Sequence, residues 1–461
     1  MNLNSYQKIY FVGIGGIGMS ALARWFFAYN YSVAGYDRTA TELTDQLAEE
    51  GMDIVFEDNI NAISNNFKDK NVLVIYTPAI PADSEILNFY KSNGNNILKR
   101  SDVLGLITKN SYTIAIAGTH GKTTTSSMVT HVLKNAGINL SAFLGGITQN
   151  YNTNLILPDK SNQTSIVVVE ADEYDRSFLK LNPDIAIITT MDPDHLDIYR
   201  DEEDFTNTFF QFVDKTANDG CLIYKSELAL EKLPNPTLKY SFGINNAYFK
   251  AENIRIEHQK FVFDLVENQK FVQQIIISVP GVHNILNALA AIAVGKSLGI
   301  DYKLIAEGIA SFKGVKRRFE YIYQNLNLVY IDDYAHHPTE LNAFIDAIRA
   351  LYPTKKLTLI FQPHLYSRTR DFMDDFAQCL SRVDELVLLD IYPARELPIE
   401  GVDSQVLLSK VNIVDKYLVS KNNLVDFMNQ RSIEIMATAG AGDVDKFVYL
   451  LENMLIKKCE I

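Results

Sequence analysis

The sequence predicts an α/β protein of three domains, on three observations. Short apolar runs of buried-strand type alternate with helix-length segments along the chain, the pattern of parallel sheets joined by crossover helices. Two glycine-rich turns, GIGGIG at 13–18 and GTHGKT at 118–123, each stand between such a run and a helix. The length of 461 residues suits two to four domains at roughly 100–200 residues each.

The first domain is read at 1–107. KIYFVG (8–13) is a strand ending in glycines, a helix follows from Met19 to Tyr29, and further strands are YSVAGYD, ending at Asp37, and NVLVIYT (71–77). This makes a Rossmann-like unit. The second domain, 108–314, opens with the strand TIAIAG (113–118) and a helix from Lys122 to Asn135, with strands at SIVVVE (165–170) and IAIITT (185–190). It reads as a central α/β domain of P-loop ATPase type. Between 220 and 280 the runs CLIYK, KYSFG, FVFDLV and IIISV crowd together, predicting an extra, smaller β portion; a helix from about Asn284 returns to the α/β pattern. The third domain, 315–461, is again Rossmann-like, with strands at 328–332, 357–361, 385–390 and 433–437.

Composition narrows the function. The net charge of −13 opposes nucleic-acid binding, which needs a basic footprint. It leaves a nucleotide ligand open, because a few local donors hold one phosphate group. Cys221, Cys379 and Cys459 are odd in number and scattered, with neither metal nor disulfide spacing, which suits a reducing compartment. No apolar run reaches the ~18 residues of a membrane helix, and the glycine-rich start reads as strand and turn. The expectation is a cytoplasmic protein without membrane or nucleic-acid partners, its oligomeric state open.

The strongest chemical signal is AGTHGKTTT (117–125). Backbone amides of such a turn, through Gly118, Thr119, His120 and Gly121, face a phosphate. The helix N-terminus adds partial positive charge. Lys122 is placed for the β/γ-phosphates, Thr123 for Mg²⁺, and Thr124 for the same loop. One departure is Ile116, where the phosphate-loop pattern has its first glycine. A plain strand–helix turn with a surface lysine is the competing reading; the preceding strand and GKTT at the helix start oppose it.

In EADEYD (170–175), directly after a buried strand, Glu170 is the first candidate to hold Mg²⁺, ahead of Asp172, Glu173 and Asp175. A solvated acidic loop is the alternative. MDPDHLD (191–197) puts His195 at another strand end, on the sheet edge where open α/β sheets bind ligands. A lone histidine is usually structural. Yet six of the eight histidines, His120, His195, His283, His336, His337 and His364, fall in motif-like segments, which a surface scatter would not produce. In GVHNILNALAA, capping accounts for Asn284; His283 and Asn287 remain, suited to a purine edge. Arg317 and Arg318 stand at a domain junction, fit to clamp a phosphate. Asp332, Tyr334, His336, His364 and Arg368 follow two strands and should cluster at one sheet edge. The first loop, Gly13, Gly15, Gly16, Ile17 and Gly18 with Asp37 after the next strand, fits G-x-G-x-x-G, a diphosphate signature.

Together GTHGKTT, EADEYD, DHLD, HNILNALAA and RRFE resemble, in order and over nearly the whole chain, the Mur ligases, ATP-dependent enzymes that build the peptide of peptidoglycan. GIGGIGMSALA, DDYAHHPTE and FQPHLYSRTRDF are most similar to the branch that adds L-alanine to UDP-N-acetylmuramate. The resemblance implies that ATP converts the lactyl carboxylate to an acyl phosphate, which the amine of L-alanine attacks. It implies Mg²⁺ on Thr123, Glu170 and His195, and ATP at Gly118–Thr124, His283, Asn287, Arg317 and Asp332. It implies the UDP-sugar at Gly13, Gly15, Gly16, Ile17, Gly18 and Asp37, and the amino-acid and muramoyl pocket at Tyr334, His336 and Arg368. Lys122, Glu170, His195, His336 and Arg368 are the catalytic set implied. Leu365 departs from the family's usual arginine, which puts one substrate contact in doubt. No lysine lies between Lys180 and Lys215, where ligases of later residues carry a carbamylated one. A ligase that recycles a tripeptide onto the same UDP-sugar is the nearest alternative, and HLYSRT opposes it. A folylpolyglutamate synthase does not suit the first domain. An NAD-dependent dehydrogenase, read from GIGGIG alone, does not explain the second phosphate loop. A non-catalytic nucleotide sensor needs no amine pocket.

Overall fold

The structure is a computed structural model describing residues 3–109, 111–159, 166–192, 198–236, 238–394 and 396–459. The protein is a three-domain α/β chain, with three sheets among the described residues. It forms two compact units, 1–253 with 263–276 and 286–312, and 254–262 with 277–285 and 313–461.

In the first unit, a five-stranded parallel sheet runs in the order Asp53–Val55, Ser32–Tyr36, Lys8–Val12, Val72–Tyr76, Ile97–Lys99. Apart from Lys8, its central strands are apolar and almost wholly buried, as suits a parallel sheet covered on both faces. Val12 is level with Tyr36 and Tyr76. The first glycine loop therefore leaves the sheet where the strand order reverses, a ligand-binding position in such folds. The helix it opens is Ile17–Ala28, two residues earlier than its apolar pattern indicates, because glycines carry no side chain to mark the first turn.

A ten-stranded sheet carries the second glycine loop. Ile185–Ile188, Tyr112–Ala117, Ile166–Glu170 and Leu140–Thr148 lie side by side and parallel, with Thr153–Ile156 antiparallel at the edge. On the other side Cys221–Lys225 and Leu238–Gly243 continue the same sheet. The extra β portion expected between 220 and 280 is built onto the central sheet. Parallel pairing depends on sheet order, which the crowding of short strands in sequence does not reveal.

The acidic loop after Ile166–Glu170 is pinned by apolar packing. Phe178 is buried and stacks on Phe212 at 4.8 Å, and burial of such a ring contributes about 1.5–3 kcal/mol. The hydroxyl of Tyr199 donates to the carbonyl oxygen of Glu173 at 2.5 Å. The helix Lys122–Asn135 is tied down by His131, whose Nδ1 lies 2.8 Å from the Tyr151 hydroxyl and whose Nε2 lies 3.0 Å from Ser311 Oγ. Burial lowers His131 to a pKa of about 4. The unfolded chain takes this proton near pH 6.5 and the folded chain does not. Stability from this group is therefore complete above pH 6.5 and lost as pH falls toward 4. Urea unfolding of His131→Gln should show a flatter pH slope in that window, by at most about 1.4 kcal/mol per pH unit. An unchanged slope would refute the assignment.

The second unit holds a six-stranded sheet ordered Glu320–Gln324, Val329–Asp333, Ile435–Ala439, Leu357–Phe361, Glu385–Leu388, Asp415–Leu418. All pairs are parallel except the first. Two edge strands, Glu320–Gln324 and Asp415–Leu418, are additional to the sequence reading; both are short and half exposed. Asp333 and Phe361 are each level with Ala439, so the loops that follow them leave one edge together. Among the described residues, no helix is long and apolar enough to cross a membrane.

Candidate active site

The second glycine loop needs its glycines. Gly118 has φ +134°, and a Cβ there would stand 2.1 Å from Thr189 Oγ1; Gly121 has φ +83°, and its Cβ would stand 2.9 Å from Asn287 Oδ1. The loop is braced from the next strand end. Thr189 Oγ1 donates to the His120 carbonyl at 2.5 Å, the amide of His120 donates to Thr190 Oγ1 at 2.9 Å, and that of Thr119 to the Thr190 carbonyl at 3.2 Å. The helix begins at Lys122 with no side-chain cap and no acid in its first turn. The amides of Lys122, Thr123 and Thr124 are left for an anion.

Lys122 is folded back onto this loop. Its Nζ lies 2.6 Å from the Gly118 carbonyl oxygen and 2.9 and 2.8 Å from the two carboxylate oxygens of Glu173. The Glu173 side chain is 2% exposed. Burial works to lower the pKa of Lys122, but Glu173, Asp172 and Glu170 outweigh it and the value is raised. Burial pushes the Glu173 carboxyl up, opposed by Lys122. Glu173 stood behind Glu170 in the sequence reading, and its motif was the only signal available for it.

Glu170 ends its strand level with Ile116. Its Oε2 accepts the Gly145 amide at 3.1 Å, and a Cβ on Gly145 would fall 2.2 Å from that oxygen. Gly145 thus makes room for this carboxylate, a role the sequence did not signal. Thr123 and Glu170 offer hard oxygen donors that suit Mg²⁺, which keeps waters and phosphate oxygens as its other ligands. His195 lies outside the described residues. Among the described residues no group of three acidic, histidine or cysteine side chains could hold a metal.

His283 and Asn287 share the helix Val282–Ser297. Asn287 is buried and its Oδ1 accepts from Thr125 Oγ1 at 3.0 Å, so one end of this amide braces the phosphate-loop helix. His283 is exposed, with its ring against Gly281.

In the first glycine loop, the amides of Gly13 and Ile14 donate to the Tyr36 carbonyl at 2.7 and 3.0 Å. Gly13 has φ +91°. Asp37 Oδ2 accepts the Gly15 amide at 2.8 Å, and Oδ1 accepts that of Thr39 at 3.2 Å. Asp37 therefore holds the loop's own backbone. Gly16 caps the helix, and Ile17 and Gly18 begin it. Asn154, fully buried, donates to the Ile17 carbonyl at 2.6 Å and accepts from Arg24 at 2.8 Å. Arg100 lies over Gly18, with Nη1 2.7 Å from where a Cβ would stand. Arg100 belongs to no motif, and nothing in the sequence singled it out.

The second unit gathers its own set. Arg317 Nε bonds Asp332 Oδ2 at 3.0 Å, and Asp332, 1% exposed, also accepts from Thr438 at 2.5 Å. Burial raises the Asp332 pKa against the pull of Arg317. Asp332 is thus an internal partner of Arg317 in this state. Arg317 and Arg318 each lie 5.2 Å from the Tyr334 ring. His336 Nδ1 lies 2.9 Å from the Tyr334 carbonyl oxygen, which requires the proton on Nδ1 and leaves Nε2 a free lone pair. The His336 and His364 rings are 5.9 Å apart, and Arg368 Nη1 lies 3.3 Å from His364 Nδ1. Burial lowers His336 and takes His364 down to about 4, so both are neutral at neutral pH. Of the five residues expected to cluster, Tyr334, His336, His364 and Arg368 form one row, while Asp332 is engaged with Arg317 and Thr438; Tyr392 joins the row by stacking on His364. Leu365 adopts φ +69° at the start of the helix Tyr366–Asp371.

Three family models match in chain order: the catalytic domain of the Mur ligase family at 8–112, the Mur ligase middle domain at 116–295, and the Mur ligase glutamate ligase domain at 317–444. A UDP-N-acetylmuramate–L-alanine ligase of Cytophaga hutchinsonii is 49% identical, with 97% of each chain covered. The crystal structure of UDP-N-acetylmuramate–alanine ligase from Thermotoga maritima superposes with a TM-score of 0.84 at 28% identity, covering 98% of this chain and 99% of that one. A murein peptide ligase from Psychrobacter arcticus shares the fold, with a TM-score of 0.73 at 23% identity over 97% and 98% of the two chains. Two glycine loops at helix N-termini, a paired lysine and a full-length match to curated relatives converge on one conclusion: the chain belongs to the Mur ligase family of carboxylate–amine ligases.

Proposed function

We propose that this chain joins L-alanine to the lactyl carboxylate of UDP-N-acetylmuramate, using ATP and Mg²⁺, in the cytoplasmic synthesis of peptidoglycan precursors. The observation that carries the reading is full-length identity of 49% to an L-alanine ligase. The built phosphate loop around Lys122 and the neutral histidine row supply the chemistry.

A carboxylate is a poor electrophile until one oxygen becomes a phosphate leaving group. Transfer between two anions requires neutralisation. Lys122 and the amides of 122–124 would hold the triphosphate, and bound Mg²⁺, on Thr123, Glu170 and His195, would offset charge on the transferring group. The first loop would seat the UDP-sugar diphosphate. In the second unit, Arg368 suits an amino-acid carboxylate, and Nε2 of His336 is free to take a proton from the amine. Residues 1–107, 108–314 and 315–461 are proposed as the UDP-sugar, ATP and amino-acid domains.

The test is phosphate release from ATP with UDP-N-acetylmuramate and each amine donor in turn. L-alanine should give the highest kcat/KM. Faster turnover with L-alanyl-γ-D-glutamyl-meso-diaminopimelate would reassign the chain to the recycling branch. Arg368→Ala should raise the L-alanine KM roughly 10- to 100-fold, the worth of one charge-assisted bond, with ATP affinity unchanged. Loss of ATP affinity instead would remove Arg368 from the amino-acid pocket.

A further inference from the structure

Arg100 opens the helix Arg100–Thr108, directly after the edge strand Ile97–Lys99. Its side chain reaches the first turn of the helix Ile17–Ala28. A Cβ on Gly18 would lie 2.7, 3.2 and 3.3 Å from Nη1, Cδ and Cζ. Glycine at 18 is what admits the guanidinium.

The placement opposes the local field. A helix N-terminus carries partial positive charge, so a cation there is unfavourable unless an anion lies between. The first turn of this helix contains no acid and has no side-chain cap. The only anion that meets Arg100 among the described residues is Asp172, with Nη2 3.3 Å from Oδ2. That contact is long, single and solvent-facing, the Asp172 side chain being 40% exposed. Arg–carboxylate pairs that hold a structure together are shorter and commonly forked. Arg100 is therefore a charged fork in poor surroundings with an exchangeable partner.

We propose that Arg100 binds the diphosphate of the nucleotide-sugar seated at the first glycine loop, exchanging Asp172 for it. The assignment rests on the reading of that loop as the UDP-sugar site. A diphosphate between the loop amides and the guanidinium turns the unfavourable cation–helix pairing into two favourable ones. It also offers the planar, paired oxygens that a guanidinium matches.

The experiment is calorimetry on the full-length protein with UDP-N-acetylmuramate, with UDP, and with a non-hydrolysable ATP analogue. Arg100→Ala should weaken both uridine ligands by roughly 10- to 100-fold and leave the ATP analogue unaffected. Arg100→Lys should recover only part of the loss, since a point charge lacks the fork. Asp172→Asn breaks the same internal contact and should leave uridine-ligand affinity unchanged or tighter. Equal weakening in Asp172→Asn would make the pair merely structural and overturn the assignment. Unchanged affinity in Arg100→Ala would overturn it as well. Weakening of UDP-N-acetylmuramate with UDP unaffected would move Arg100 to the sugar carboxylate, which is a different role. If the unaltered protein binds the ATP analogue but neither uridine ligand, the loop assignment itself falls and takes this one with it.

Discussion

Lys122→Ala should abolish ligation and also destabilise the protein. The loss of activity follows from the phosphate loop. Removing one preorganised positive group from a transferring phosphoryl costs roughly 10²–10³-fold or more in kcat. The loss of stability follows from Glu173. With Lys122 gone, a carboxylate whose side chain is 2% exposed has lost the cation 2.8 Å away. Breaking a buried ion pair by removing one partner costs about 3–5 kcal/mol. The double variant Lys122→Ala/Glu173→Gln removes the orphaned charge and should regain most of the stability while remaining inactive. Denaturant unfolding and phosphate release, measured on both variants, separate the two effects. Wild-type stability in Lys122→Ala would show that Glu173 is not held as an ion in the free enzyme. Wild-type turnover would remove Lys122 from the triphosphate site.

The second large effect is expected at Glu170. Glu170→Ala should lower kcat by roughly 10²–10³-fold at millimolar Mg²⁺, the scale of a lost electrostatic contact to the transferring group, and should move the Mg²⁺ titration to higher concentration. Gly145→Ala gives an independent check. Its Cβ would fall 2.2–2.5 Å from the Glu170 carboxylate atoms, so it should displace the carboxylate without removing it. It is expected to shift the same Mg²⁺ titration while ATP-analogue binding without metal stays unchanged. An unaltered Mg²⁺ titration in Glu170→Ala would end its assignment as a metal ligand. The same result in Gly145→Ala would show that the carboxylate has room to move.

Much of this architecture was legible in the sequence. Buried parallel strands are apolar along their whole length because both faces are covered. TIAIAG, IAIITT and LTLIF accordingly mark strands at Tyr112–Ala117, Ile185–Ile188 and Leu357–Phe361. The glycine loops were legible because their backbone demands are local. Gly13, Gly118 and Gly121 all have positive φ, which other residues rarely adopt. The row of Tyr334, His336, His364 and Arg368 followed from one step of topology, that loops after parallel strands leave the same sheet edge.

What the tertiary structure alone decided is which side chains meet. Lys122 and Glu173 stand 51 positions apart, Thr125 and Asn287 are 162 apart, and Arg100 and Asp172 are 72 apart. None of these pairs shares a periodic pattern, so no local rule links them. Asp37, which sequence spacing suits to a ligand, is engaged with the Gly15 amide, and Gly145 matters only because Glu170 ends the neighbouring strand. Sequence patterning records how the backbone must run and which face is apolar. The partner of a charged side chain depends on strand order, which brings distant loop ends together, and on burial, which makes an unpaired charge costly.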